Sequence, residues 1–207
     1  MASFGQLAAE LDATVPVEHA VNEALLADVV AAGTMTPVLQ ARIVAAVHAL
    51  VEQGAGVVLC TCSTIGGAAE GAAVGDRASV MRVDRPMAEA AVDSGRRILV
   101  AAALASTLTP TLALLGQVAE RRGSPLNAQT LLCEGAWAHF ERGDRTSYAS
   151  TIARQIRSAA APGDVVVLAQ ASMAPAAELL QGESLQVLSS PRLGVAAALQ
   201  RFRASGV

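Results

Sequence analysis

The chain has 207 residues, 53% of them hydrophobic, enough to bury a full core in one domain or in two small lobes. Its formal net charge of −3 carries no nucleic-acid footprint, and with three Phe, one Tyr and one Trp the core must be filled by Ala, Val and Leu. All fifteen basic residues are Arg, which leaves this sequence without the lysine that a pyridoxal-phosphate Schiff base or a phosphate loop requires.

The opening MASFGQLAAELD has no basic region followed by an apolar block, so no secretory signal is expected. Phe4–Leu11 reads as a helix, and Pro37–Gln53 as a second one with proline in its first turn. Val57–Cys60 (VVLC) is a short apolar run and reads as a buried strand. It runs into Cys62, Ser63 and Thr64, where the strand should end and a helix begin. Backbone N–H groups and the positive end of the helix dipole converge at such a turn. They favour a thiolate and can hold a carboxylate, aided here by two hydroxyls. A lone cysteine is more often simply a small buried side chain. That reading is assigned to Cys60, inside the strand, and to Cys133, after a Leu-Leu pair. Cys60 and Cys62 lack a second ligand pair for a metal site, and three thiols fit a reducing cytoplasm better than a disulfide framework.

Pro86–Ser94 is the next expected helix, followed by a strand over Ile98–Ala102 (ILVAA). Ser106 and Thr107 then repeat the hydroxyl-rich turn, as a helix N-cap or a second anion-holding element. Their interruption, with Thr109 and Pro110, also breaks the apolar run from Ile98 to Leu115, so no transmembrane helix is expected. Helices are expected over Thr109–Arg122, Thr146–Ala160 and Gly194–Arg203, and strands over Val165–Leu168 (VVVL) and Leu185–Leu188 (LQVL). Short apolar runs alternating with longer amphipathic ones indicate an α/β fold with parallel sheets.

The chain echoes itself. VVLCTCSTIGG and VVVLAQASMAP share an apolar strand, a small polar turn and a helix start, which sets Cys62 against Gln170 and Thr64 against Ser172. This suggests two similar lobes, residues 1–94 plus 191–207 and residues 95–190, with an active-site cleft between them. His19, His48 and His139 have no metal-ligand spacing, and neither a G-x-G-x-x-G nor a G-x-S-x-G motif is present. Arg82, Arg85 and Arg192 fall near expected strand ends, where surface ion pairing is their ordinary role and carboxylate binding the alternative. Glu134, in CEGA, could orient a loop near the cleft.

At CSTIGG, LAQASMAP and the intervening RVDRPMAEAA and ASTLTPT, the chain resembles the aspartate/glutamate/hydantoin racemase superfamily from about Ala20 onwards. The resemblance implies two α/β lobes related by a pseudo-twofold axis, each supplying one cysteine beside the substrate α-carbon. It implies no metal, no organic cofactor, a small carboxylate-bearing substrate and a homodimer, which the residues themselves do not fix. By position, Cys62 with Ser63 and Thr64 matches the first cysteine motif. Ala169, Gln170, Ala171 and Ser172 occupy the second, and Ser106 and Thr107 match a carboxylate-binding turn. Two departures stand out. Gln170 replaces the second cysteine, and a carboxamide cannot shuttle protons. The resemblance also leads one to expect a strand ahead of Phe4–Leu11; either the start is truncated or the first lobe lacks that strand, whose loss would expose a neighbouring strand edge. The expected function is a cofactor-independent enzyme working next to a carboxylate with Cys62 as its only thiol. The alternatives are a single-thiol decarboxylase or diacid isomerase, and a non-catalytic small-acid binder on the same fold.

Overall fold

The computed structural model describes residues 4–205; the ends of the first expected lobe, 1–3 and 206–207, lie outside the described residues. The chain divides into two packing units, one spanning Asp84–Ser190 and the other holding the described residues up to Val83 and those from Pro191 onward. The helix over Arg85–Asp93 therefore packs with the 84–190 unit, about ten residues earlier than the boundary expected at 94/95.

In the 84–190 unit four strands form a parallel sheet. They are β3 (Ile98–Ala102), β4 (Ala128–Leu132), β5 (Val165–Leu168) and β6 (Gln186–Ser189), in the order β4-β3-β5-β6. Every residue of β3 and β5 is buried, because helices cover both faces. Side chains alternate between those faces as the pleat requires. Leu99, Ala101, Val166 and Leu168 point to one side, where they meet Tyr148, Ile152 and Ile156 of α8 (Arg145–Ala159). Ile98, Val100, Val165 and Val167 point to the other, against α5 (Arg85–Asp93) and α6 (Ala105–Arg122). The remaining helices here are α7 (Ala136–Glu141) and α9 (Pro175–Leu179).

The N-terminal ends of these strands are laced by two adjacent arginines. Arg97, just before β3, donates to the Asp164 carboxylate ahead of β5 and to Gln129 Oε1 in β4 at 2.7 Å. Arg96 donates to the Gly163 carbonyl at 3.1 Å and to the Gln186 side chain in β6.

The second unit contains α1 (Phe4–Leu11), α2 (Glu23–Ala32), α3 (Pro37–Glu52), β1 (Val57–Cys60), α4 (Ser63–Glu70), β2 (Ser79–Arg82) and α10 (Ser190–Ala204). β1 and β2 pair in parallel, and among the described residues no strand pairs with the other edge of β1. Val58 and Val80 pack with Ile43, Val47 and Val51 of α3, while Leu59 faces Ala8, Val195 and Leu199 of α1 and α10. At α10 the approach is closest: a Cβ on Gly194 would lie 2.4 Å from the Val83 carbonyl oxygen, so only glycine fits there. Among the described residues no helix is long and apolar enough to cross a membrane.

Candidate active site

Ligands of open parallel sheets bind beyond the carboxyl ends of the strands, and the chemistry-bearing residues of both units gather there.

In the second unit, β1 ends at Cys60 and the chain stays extended through Cys62, whose φ of −115° and ψ of 117° make it the N-cap of α4. The Cys62 thiol is half-buried and the next residue, Ser63, is buried. Thr64 is half-buried in the same first turn. Cys60 directs its Sγ to the Cys62 carbonyl oxygen at 3.6 Å, so it supports the backbone of the turn, and none of the three cysteines is in a disulfide. Arg82, at the end of the adjacent β2, is only 3% exposed and donates to the Ser63 carbonyl at 3.3 Å. It lies across α4 at its glycine pair. A Cβ on Gly66 would sit 3.1 Å from the Arg82 Cβ and 3.3 Å from its Nε, so CSTIGG carries glycine where the arginine must pass. The expectation of surface pairing is thus corrected for Arg82, which is a buried support of the turn. It holds for Arg192, which lies 3.6 Å from Glu10 on the surface.

In the 84–190 unit, Gln170 occupies the matching position after β5, with φ −120° and ψ 138°, as the N-cap of a 3₁₀ turn over Ala171–Met173. The two positions the sequence pairs thus share one backbone conformation. Gln170 Oε1 crosses to the neighbouring strand, where it accepts from the Ala103 N–H at 2.7 Å and the Leu104 N–H at 3.2 Å. These amides lie where β3 turns into α6. Ser106 and Thr107 are not the cap of that helix: it starts at Ala105 with Leu104 as N-cap and no capping side chain of its own. Both residues lie in its first turn, with Ser106 exposed, and Thr107 buried and accepting from the Thr111 hydroxyl at 2.8 Å through its carbonyl. Ala171 follows Gln170 in the 3₁₀ turn, and the Ser172 hydroxyl is shared with the Tyr148 hydroxyl at 2.9 Å.

Tyr148 is the residue that the sequence reading missed. It is buried, and burial raises its pKa while the Ser172 hydroxyl pulls it back. A signal existed: a single tyrosine on the apolar face of a helix needs a partner for its hydroxyl. Phe140 packs edge-on against it with ring centroids 5.1 Å apart, and the Arg145 guanidinium lies 3.6 Å from the Phe140 ring centroid. Cys133 is fully buried, which pushes its thiol up to about 11 and keeps it protonated and inert. Glu134 is exposed, and its carbonyl accepts from Gln155 at 2.8 Å. Within one unit the structure therefore joins Gln170 to the turn before Ser106, and Ser172 to Tyr148; within the other it joins Ser63, the residue after Cys62, to Arg82.

The parallel sheets in two units match the fold of solved racemase structures. No family model matches the chain, and no curated protein matches it by sequence. A Yersinia pestis protein described as a candidate Asp/Glu racemase aligns over 95% of this chain and 91% of its own, with a TM-score of 0.64 and 13% identity. Glutamate racemase from Bacillus anthracis aligns over 81% of this chain with a TM-score of 0.58 and 16% identity, and the alignment spans 66% of that enzyme's length. A variant of arylmalonate decarboxylase aligns over 82% of this chain and 76% of its own, with a TM-score of 0.53 and 18% identity.

Proposed function

We propose that this protein is a cofactor-independent enzyme acting at the carbon next to a substrate carboxylate, with Cys62 as its only thiol acid/base. The observation that carries the proposal is the placement of Cys62: a half-buried cysteine at a strand tip, in the N-cap position of a helix, on a fold shared with racemases and a decarboxylase. Cys62 in its thiolate form takes the α-proton, the electron pair moves into the carboxylate as an enediolate, and the same thiol returns a proton to that carbon. Main-chain amides and the Ser63 and Thr64 hydroxyls stabilise the charge that develops on oxygen. Cys133, held protonated by burial, takes no part.

The carboxamide at residue 170 favours one-thiol chemistry over two-base inversion, since an amide neither accepts nor releases a proton near neutral pH. Exchange with retention, or loss of carbon dioxide from a substituted malonate followed by protonation, are the reactions such a site supports. The working place is a cytoplasm, where the three thiols stay reduced.

The test is deuterium incorporation. Aspartate, glutamate and methylmalonate are incubated with the protein in deuterated water and followed by NMR. Exchange at the α-position, or release of carbon dioxide, is expected for the wild type and should fall by about 100-fold or more in Cys62→Ala. Turnover that survives the substitution would remove Cys62 from the mechanism. Carboxylate binding without turnover, indifferent to Cys62, would make the protein a small-acid binder instead.

A further inference from the structure

We propose that Gln170 is a locked hydrogen-bond donor that selects for a substrate carboxylate, a role that rests on the carboxylate chemistry proposed above. The two groups facing its side chain on the β3–α6 turn, the Ala103 and Leu104 amides, are both donors. Only the oxygen of a carboxamide can meet a donor, so the orientation of the group is fixed by chemistry as well as by geometry. Oxygen on the amides places nitrogen on the opposite branch of a planar group, carrying two N–H bonds. Among the described residues the structure gives that nitrogen no partner, and the side chain is only half-buried.

A group held by two hydrogen bonds at one end and open at the other has little freedom left to lose on binding, which is the condition for an effective ligand contact. Its open end is a neutral double donor beyond the carboxyl end of a parallel strand, with the Ala171 and Ser172 turn continuing from it. The complement of two N–H bonds is an anionic oxygen, and a carboxylate is the form of it that the proposed chemistry needs. Cysteine at this position would leave the Ala103 and Leu104 amides without their acceptor. The glutamine therefore does more than delete a thiol: it turns an acid/base position into a binding one.

The experiment uses the full chain and two dicarboxylates, malonate and succinate, as probes, with binding read by calorimetry and by the amide resonances of Ala103 and Leu104. Gln170→Glu keeps the oxygen on those amides and replaces the donor by a charged acceptor; Gln170→Met keeps the length and removes both. Both variants should lose at least about tenfold in affinity for the tighter probe. The Ala103 and Leu104 resonances should stay near their wild-type positions in Gln170→Glu and move in Gln170→Met. If one variant fails to fold, the other decides the question. Wild-type affinity in both Gln170 variants would overturn the proposal, as would a wild-type protein that binds neither probe. Exchange abolished by Cys62→Ala together with probe binding indifferent to residue 170 would sink this inference and leave the proposed enzyme standing. Binding dependent on Gln170 without any turnover would do the reverse.

Discussion

The two sheets carry the same strand–turn–helix segment 108 residues apart, yet they bury it differently. β5 lies between two strands with all four residues buried, whereas among the described residues β1 has one partner and only Val58 of its four is buried. The four-stranded sheet is also laced at its N-terminal end by Arg96 and Arg97. A strand tip can evidently be shaped by its own turn and helix, while the rigidity beneath it depends on its neighbours. The Gln170 turn stands on a closed lattice; the Cys62 turn stands on a pair of strands braced by Arg82.

The largest expected effect tests that contrast in the core. Leu168→Ala empties a site with no exposure on the central strand and should cost about 2–5 kcal/mol. Leu59→Ala, on the half-buried β1, should cost only about 1 kcal/mol. Denaturant unfolding of both variants, with amide exchange to assign the loss to a unit, measures the difference. Equal costs would mean that the second sheet is as well supported as the first.

Next in size is the closest backbone approach in the weaker unit. Gly194→Ala drives a methyl group into the Val83 carbonyl and should destabilise by about 1–3 kcal/mol as α10 is pushed from the end of β2. Gly116→Ala, in α6 with open space around it, should instead stabilise by up to about 1 kcal/mol through helix propensity. Thermal melts of the two variants should therefore shift in opposite directions. A neutral Gly194→Ala would show that the helix is loosely held.

How much of this was legible in the sequence follows from burial. The strands over Val57–Cys60, Ile98–Ala102 and Val165–Leu168 fold at the expected residues, because unbroken apolar β-formers leave few alternatives. β4 (AQTLL) and β2 (SVMR) did not announce themselves: they lie at sheet edges, where half-exposed positions admit polar residues. The start of α6 was misjudged because Pro110 reads as a first-turn residue. It sits inside the helix, near enough to the N-terminus that one missing N–H is tolerated. The Cys62 turn was readable from its own residues. The Gln170 contact was not, since its partners are main-chain amides of the β3–α6 turn, 67 and 66 residues earlier, and amides leave no mark in a sequence. Arg82 was misplaced on the surface for a related reason: the glycines that admit it lie on another element.

The smallest effect separates the units by acid. The Arg97 guanidinium holds the Asp164 carboxyl below the ordinary carboxylate range, with the Ala161 N–H adding to it and burial opposing. In the other unit Asp12 is lowered to about 2, first by the Thr14 hydroxyl and then by Arg203 of α10. A carboxyl whose folded pKa is depressed contributes stability that is fully present above its unfolded value of about 3.9. That contribution fades as pH falls through the folded value. Asp164→Asn should accordingly be less stable than wild type at pH 7, with the gap shrinking below about pH 4 as the wild type is protonated. For Asp12→Asn the gap should likewise shrink below about pH 4 and close as the pH falls through about 2, the folded value of the tie between the end of α1 and α10. Urea midpoints at pH 7, 4 and 2.5 measure both. A gap that stayed constant with pH for Asp164→Asn would mean that the lacing beneath the four strands works by shape rather than by charge. The contrast between the two sheets would then rest on packing alone.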